Sequence, residues 1–376
     1  MKNVFSYERY HRQLILKEFG EAGQQKLADA SVLVVGAGGL GCPVLQYLVA
    51  SGVGTIGIVD DDAVSLDNLH RQPLFTTADI GKSKAATAAD ALRKLNPESR
   101  INSYEQRLEP ANAPGIMQDY DLVIDCGDNF ATRYMINDAC VLLGKPLVYA
   151  AVSQYEGQVA IFDCRKNNSV AGIHYRDLFP EPPAPGEVES CSEAGVLGVL
   201  PGIIGTMQAA EAIKFIAGIG RPLTGRLYTF NALTNRGLEI ELRKRSDSDT
   251  LVPGSIEEFR QTDYVSLCDQ PGMPFEISVG QFEDMIAAGD VDIIDVREPG
   301  ELPEVSEFAC RCIPLARLTG EYDHNGSAAT IFFCQSGQRS ARAARWLLRR
   351  DGKERWVYSL AGGILQYKKQ REEQKV

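Results

Sequence analysis

Between Ser31 and Ala150 the chain alternates short apolar runs with helix-length segments, and a glycine-rich turn sits at the first junction. Val32–Val35 and Thr55–Val59 read as strands, with a helix over Cys42–Ser51 between them. Lys84–Leu95 reads as a helix stopped by Asn96-Pro97, Leu122–Asp125 as a strand, Ala131–Leu143 as a helix closed by Gly144, and Pro146–Ala150 as a strand. Gln158–Phe162 and Gly225–Phe230 add strands, with a helix over Gly202–Ile216. Such alternation implies an α/β fold built on a doubly wound, mostly parallel sheet.

The turn itself is Gly36-Ala37-Gly38-Gly39-Leu40-Gly41. Following a strand and opening a helix, Gly36, Gly38, Gly39 and Gly41 permit a tight bend and bring backbone N–H groups to a phosphate, a Rossmann-like arrangement. Asp60 ends the next strand, where a carboxylate can accept from ribose hydroxyls. These residues alone fit an NAD-dependent oxidoreductase. The following ones shift the reading toward ATP. Asn68, Arg71 and Gln72 come directly after the ribose acid, then Lys84, then Asp125-Cys126-Gly127-Asp128-Asn129 at a later strand end. Cations beside the turn suit a triphosphate, a carboxylate at a strand end suits magnesium, and hydride transfer needs neither.

The 376 residues suggest two to three domains, and 44% apolar with 24% charged residues is ordinary for a globular chain. A net charge of −11 argues against a general nucleic-acid or anionic-membrane binder. The uncharged run Ala30–Val59 holds seven glycines and Pro43, so strand, turn, helix and strand fit it better than a bilayer span. The N-terminus has no apolar signal region, and nine scattered cysteines suit reduced thiols, so a cytoplasmic protein is expected. Composition shifts at Leu242–Thr250, which divides the chain into 1–245, a linker at 246–273, and a small α/β domain at 274–376. In the last, Val291–Val296 and Ile331–Phe333 read as strands and Ser340–Arg350 as a basic helix.

From about Tyr10 to Leu242, the motifs GAGGLG, D-x-D-x-V-S-x-x-N-L-x-R-Q, G-K-S-K and D-x-x-D-N resemble the adenylation domain of the ubiquitin-activating (E1-like) superfamily, in its MoeB/ThiF branch. The resemblance implies a homodimer that adenylates the C-terminal Gly-Gly of a ubiquitin-like sulfur carrier protein. It implies Asp60 as ribose ligand, Arg71 and Lys84 as ATP-phosphate cations, Asp128 as the Mg²⁺ carboxylate, and Asn68 and Gln72 as supporting contacts. Arg12, in Tyr10-His11-Arg12-Gln13, matches the arginine that family members lend to the partner's ATP.

Cys191, in Glu189-Ser190-Cys191-Ser192-Glu193-Ala194-Gly195, has polar neighbours and follows a proline-rich segment, so a partly exposed loop is expected over core packing. The stretch resembles the family element whose cysteine links to the activated carrier. Cys42, Cys126, Cys140 and Cys164 read as structural, Cys310 and Cys312 as surface or structural. Cys334-Gln335-Ser336-Gly337-Gln338-Arg339-Ser340 lies between a strand and a helix expected near Ser340, where backbone N–H groups and Arg339 would stabilise an anionic persulfide. With Asp295-Val296-Arg297-Glu298, this C-x-x-G-x-R-S loop resembles a single-domain rhodanese, implying a sulfurtransferase fed by a persulfide donor. Many relatives carry paired C-x-x-C motifs that bind structural zinc. Here His174 and Asp177 stand in the first position and no later pair follows, so zinc is expected to be absent and His174 to be a solvated loop residue. An inactive carrier-binding scaffold is the other rival. Carriers serving molybdopterin, thiamine, cysteine or another thiolated product all fit these residues.

Overall fold

The computed structural model describes residues 5–164, 172–183, 195–268, 275–323, 326–351 and 356–373. They divide into two compact units, meeting in the sequence between Tyr264 and Val265.

In the first unit, β1 (Ser31–Val35), β2 (Thr55–Val59), β3 (Arg100–Tyr104), β4 (Leu122–Asp125) and β5 (Pro146–Ser153) are parallel. Then β6 (Glu156–Asp163), β7 (Arg226–Asn231) and β8 (Arg236–Glu241) extend the sheet antiparallel. The order is β3-β2-β1-β4-β5-β6-β7-β8. The strand order reverses between β1 and β4, so a crevice opens at their carboxyl ends. Val32–Val34 in β1 and Leu122–Ile124 in β4 are essentially inaccessible, as expected of parallel strands covered on both faces. The helices Gly41–Ala50 and Leu200–Ala217 pack together on one face, where Leu45, Leu48 and Ile204 join the main core.

The helix edges follow local chemistry. Lys84–Leu95 begins at Ser83, whose hydroxyl accepts from the Ala86 N–H at 3.3 Å. Phe130–Leu143 begins at Asn129, which accepts from Thr132, and ends at Gly144 with φ +62°. At the first turn a Cβ on Gly41 would lie 2.0 Å from the Gly36 carbonyl oxygen, so only glycine lets the strand fold directly into the helix.

Two strands of this sheet escaped the sequence pattern. β3 is an edge strand with little apolar alternation, and every residue of β8 is exposed. The expected linker at 246–273 also opens with structure that packs on the first unit. A 3₁₀ turn spans Ser248–Leu251 and a helix spans Ile256–Gln261, with Phe259 fully buried. The Tyr264 hydroxyl donates to the buried Asp138 carboxylate at 2.9 Å.

The second unit holds a parallel five-stranded sheet ordered β11-β10-β12-β13-β9. These are β9 (Phe275–Ile277), β10 (Val291–Asp295), β11 (Arg311–Cys312), β12 (Ala329–Phe333) and β13 (Trp356–Leu360). Alternate residues of β12 serve two cores. Phe332 joins Ala343, Ala344 and Leu347 of the helix Gln338–Asp351. Ile331 and Phe333 join Phe282 and Tyr367 on the other face. Among the described residues no helix is long and apolar enough to cross a membrane.

Candidate adenylation cleft and thiol loop

At the β1/β4 switch lies a cleft of about 390 Å³. Its lining includes Gly36, Gly38, Gly39, Asp60, Asn68, Arg71, Gln72, Lys84 and Asp128. The fold thus gathers nine sequence-predicted positions from five separate segments. Gly41 sits behind the wall as the first residue of its helix. Arg12 is exposed on the helix Tyr7–Leu14 and does not line the cleft of its own chain.

Asp60 is oriented before any ligand arrives. Its carboxylate accepts from the Ala37 N–H at 2.7 Å and the Asp62 N–H at 2.9 Å, tying the glycine turn to the end of β2. Burial raises its pKa, against the pull of those two N–H groups and of Lys84. Lys84 is 4% exposed and donates to Asp62 at 2.8 Å, whereas the Asp62 side chain is 68% exposed. Arg71 is held by the Asp67 carbonyl at 3.1 Å. Gln72 donates to Asn68 at 3.0 Å, and its buried Oε1 has no hydrogen-bond partner among the described residues. Asp128 is exposed on the cleft wall, with no hydrogen bond or ion pair among the described residues.

Several lining residues lay outside the sequence reading. Gln106, Arg107 and Leu108 follow β3, so missing that strand hid them. Thr132 and Arg133 stand in the first turns after Asn129. Arg133 is 7% exposed, packs over Tyr149 and Phe130, and approaches the wholly buried Asp125 at 3.5 Å. Burial raises the Asp125 pKa, opposed by the Arg133 charge. Asp125 also accepts from the Gly127 N–H at 2.8 Å, which shapes the turn before Asp128.

Cys126 lines the cleft, yet its thiol is pushed well above the usual range by burial and then by Asp125. Burial likewise raises Cys42, to about 12, and Cys140 and Cys164. All four suit packing, not nucleophilic attack. Cys191 lies outside the described residues. The described chain resumes at Gly195, whose carbonyl accepts from the Gln154 N–H at 3.0 Å, and Val196 lines the cleft.

In the second unit Cys334 follows β12 and is fully buried. Its Sγ accepts from the Gly337 N–H at 3.2 Å, and Ser340 Oγ lies 3.7 Å away. The following helix starts at Gln338, two residues before the expected Ser340. Ser340 donates to the Gly337 carbonyl at 2.8 Å and accepts from Ser359 at 2.9 Å, fixing the loop. Gln335 and Ser336 are exposed at the loop's tip. Arg339 departs from expectation. Its charge is not free beside the sulfur, because both terminal nitrogens donate to Glu301 at 2.6 Å. Asp295 and Arg297 form a second pair, at 2.7 Å between Arg297 Nη2 and Asp295 Oδ2. Arg297 also donates to the Pro303 carbonyl at 2.9 Å, so this motif braces the segment that carries Glu301. Cys310 and Cys312 are exposed.

His174 is a correction. It is 1% exposed, not solvated. It caps the short helix Tyr175–Leu178, and its Nε2 is 3.0 Å from Asp249. Asp177 accepts from the His174 and Arg245 N–H groups at 2.8 Å each and from the Ser248 hydroxyl at 2.6 Å. Lys244 Nζ reaches Asp249 at 2.7 Å and Asp177 at 3.3 Å. The ring's polar partner, Asp249, comes 75 residues later, beyond any local pattern.

Comparison with known proteins places this geometry. Residues 10–251 match the ThiF family model, and residues 278–370 match the rhodanese-like domain model. A sulfur carrier protein adenylyltransferase of Thermus thermophilus is 54% identical over 63% of this chain and 88% of its own. A probable adenylyltransferase/sulfurtransferase, MoeZ, of Mycobacterium tuberculosis is 40% identical over 96% of this chain and 93% of its own. Among solved structures, E. coli MccB with a MccA derivative superimposes with a TM-score of 0.57 at 21% identity, covering 64% of this chain and 73% of that one, a likeness of fold.

Proposed function

Because this chain belongs to the ThiF family and carries a rhodanese-like domain after it, we propose that it activates the C-terminal glycine of a ubiquitin-like sulfur carrier with ATP and then delivers sulfur to it as a thiocarboxylate. It is an adenylyltransferase and a sulfurtransferase. The observation that carries the reading is the cleft, where Arg71 and Lys84 stand beside the glycine turn with Asp60 and Asp128.

The chemistry follows from charge. A carboxylate approaching an α-phosphate is repelled, and cations already in place lower that barrier without reorganising. Asp60 orients the ribose through its free lone pairs. Arg71 and Lys84 take the phosphates, and Asn68 and Gln72 brace the same wall through the hydrogen bond between them. An exposed, unpartnered carboxylate fits a hard divalent cation, so Asp128 would hold Mg²⁺, which neutralises phosphate charge when bound. Arg12 lies off its own cleft, which supports a homodimer in which Arg12 of the partner subunit completes the phosphate site.

Cys334 accepts sulfane sulfur from a persulfide donor, with the Gly337 N–H stabilising the sulfur anion. Cys191 takes part in a covalent acyl intermediate and its resolution. Having both activities on one chain raises the local concentration of persulfide around the acyl-adenylate. The reading needs no structural zinc, since His174 and Asp177 are engaged by Asp249, Lys244, Arg245 and Ser248. It needs no nucleic acid or membrane, and free thiols suit the cytoplasm.

Carrier-dependent ATP–pyrophosphate exchange tests the adenylation half, and Asp128→Ala is expected to abolish it in a folded protein. Mass spectrometry of the carrier tests the other half. Cys334→Ser keeps exchange and loses both thiosulfate–cyanide transfer and the thiocarboxylate. Cys191→Ser keeps exchange and thiosulfate–cyanide transfer and impairs carrier loading. Full thiocarboxylate yield from Cys334→Ser would end the sulfur-relay reading.

A further inference from the structure

We propose that Glu301 determines which sulfur donors reach Cys334: its carboxylate occupies Arg339 as an internal anion, and an anionic donor enters by taking its place. The inference deepens the sulfurtransferase reading and rests on it.

The pair is built like a substrate contact. Both Arg339 terminal nitrogens donate to the two Glu301 oxygens at 2.6 Å, the planar fork by which guanidinium also takes carboxylate and oxyanion groups. The two side chains keep 31% and 27% of their surface in contact with solvent, so a small anion can reach them. The same segment meets the thiol loop a second time, where Gln335 Nε2 donates to the Leu302 carbonyl at 3.4 Å. Glu301 is fixed from its own side by the Glu298 N–H at 2.8 Å, and the Arg297–Asp295 pair braces the turn beneath it. Cys334, on the same loop as Arg339, is fully buried, and its Sγ accepts from the Gly337 N–H at 3.2 Å.

Arg339 holds the Glu301 carboxyl down to about 2, and a guanidinium keeps its proton. Near neutrality the pair therefore opens by exchange for another anion and not by protonation. A donor oxyanion that replaces Glu301 recovers the same two N–H bonds and is held on the loop that carries the thiol. With thiosulfate the Cys334 thiolate attacks the outer sulfur. The S–S bond breaks, sulfite leaves with the electron pair, and the protein retains the persulfide anion. A neutral donor gains nothing from Arg339.

The test uses the full chain and two alkylating reagents of similar size, anionic iodoacetate and neutral iodoacetamide, with the rate at Cys334 read by peptide mass spectrometry. The exposed Cys310 and Cys312 serve as internal references. Glu301→Gln keeps the side-chain shape and removes the competing charge. It is expected to raise the iodoacetate-to-iodoacetamide rate ratio at Cys334 roughly threefold to fivefold, the upper range for a solvent-accessible charge pair. Adding Arg339→Gln should abolish the gain, and Glu301→Asp should restore the original ratio. The KM for thiosulfate should fall in Glu301→Gln while kcat holds. An unchanged ratio, or equal acceleration of both reagents, overturns the proposal, the latter making Glu301 a steric strap. Glu301→Gln alone decides the point, whether or not the Arg339 variant folds. If the ratio rises but no form transfers sulfur from thiosulfate to cyanide, charge selection stands and the sulfurtransferase reading fails.

Discussion

Lys84→Met separates a structural lysine from a catalytic one. Lys84 is 4% exposed, so its stem is packed and methionine can fill the same volume. Its ion partner, Asp62, has a side chain 68% exposed, so breaking the 2.8 Å pair leaves a carboxylate that water already solvates. The stability cost is then about 0–1 kcal/mol, which in a unit of this size moves Tm by no more than ~4 °C. The chemical cost is larger. A cation about 4 Å from a phosphate charge at an effective dielectric of ~20 contributes about 4 kcal/mol, on the order of 10³ in rate. Arg71 remains and recovers part of it, so carrier-dependent exchange should fall about 10²–10³-fold. Asp62→Asn breaks the same pair from the other side and keeps the cation, and should retain exchange within about fivefold. The assay is pyrophosphate exchange at saturating carrier, with a thermal melt of each variant. Exchange within tenfold of wild type in Lys84→Met would remove the lysine from the phosphate site. A melt lowered by more than about 10 °C would make its role structural.

Three further outcomes follow from other sites. Mixing Arg12→Ala with Asp128→Ala protein should restore exchange at one hybrid site, and mixed dimers that form yet stay inactive would show that Arg12 is not shared between protomers. Asp138→Ala removes the partner of buried Arg176, held at 2.7 Å, and of the Tyr264 hydroxyl, and should cost about 3–5 kcal/mol in denaturant unfolding. Elemental analysis of protein purified without added metal should give well under one zinc per chain, and one tightly held zinc would mean that His174 and Asp177 leave their present partners.

What could be read from sequence was what is determined over a few residues. The glycine turn, the ends of Lys84–Leu95 and Leu122–Asp125, and the helix stop at Gly144 depend on backbone sterics, apolar period and near-neighbour hydrogen bonds, and each was legible. The charges of the cleft were legible as residue types because they follow strand ends in a doubly wound sheet, which is where such a fold binds ligands. Other features depended on which residues tertiary packing brings together. β8 carries no burial signal because the sheet edge leaves it in water. Arg339 looked like a free cation until folding placed Glu301, 38 residues earlier, against it. His174 looked solvated until folding buried it and set Asp249, 75 residues later, 3.0 Å from its ring. A side chain's charge is a local property, but its burial and its partner are set by chain segments distant in sequence. The sequence therefore determined which chemistry was present, and the tertiary structure decided which of those charges were already spoken for.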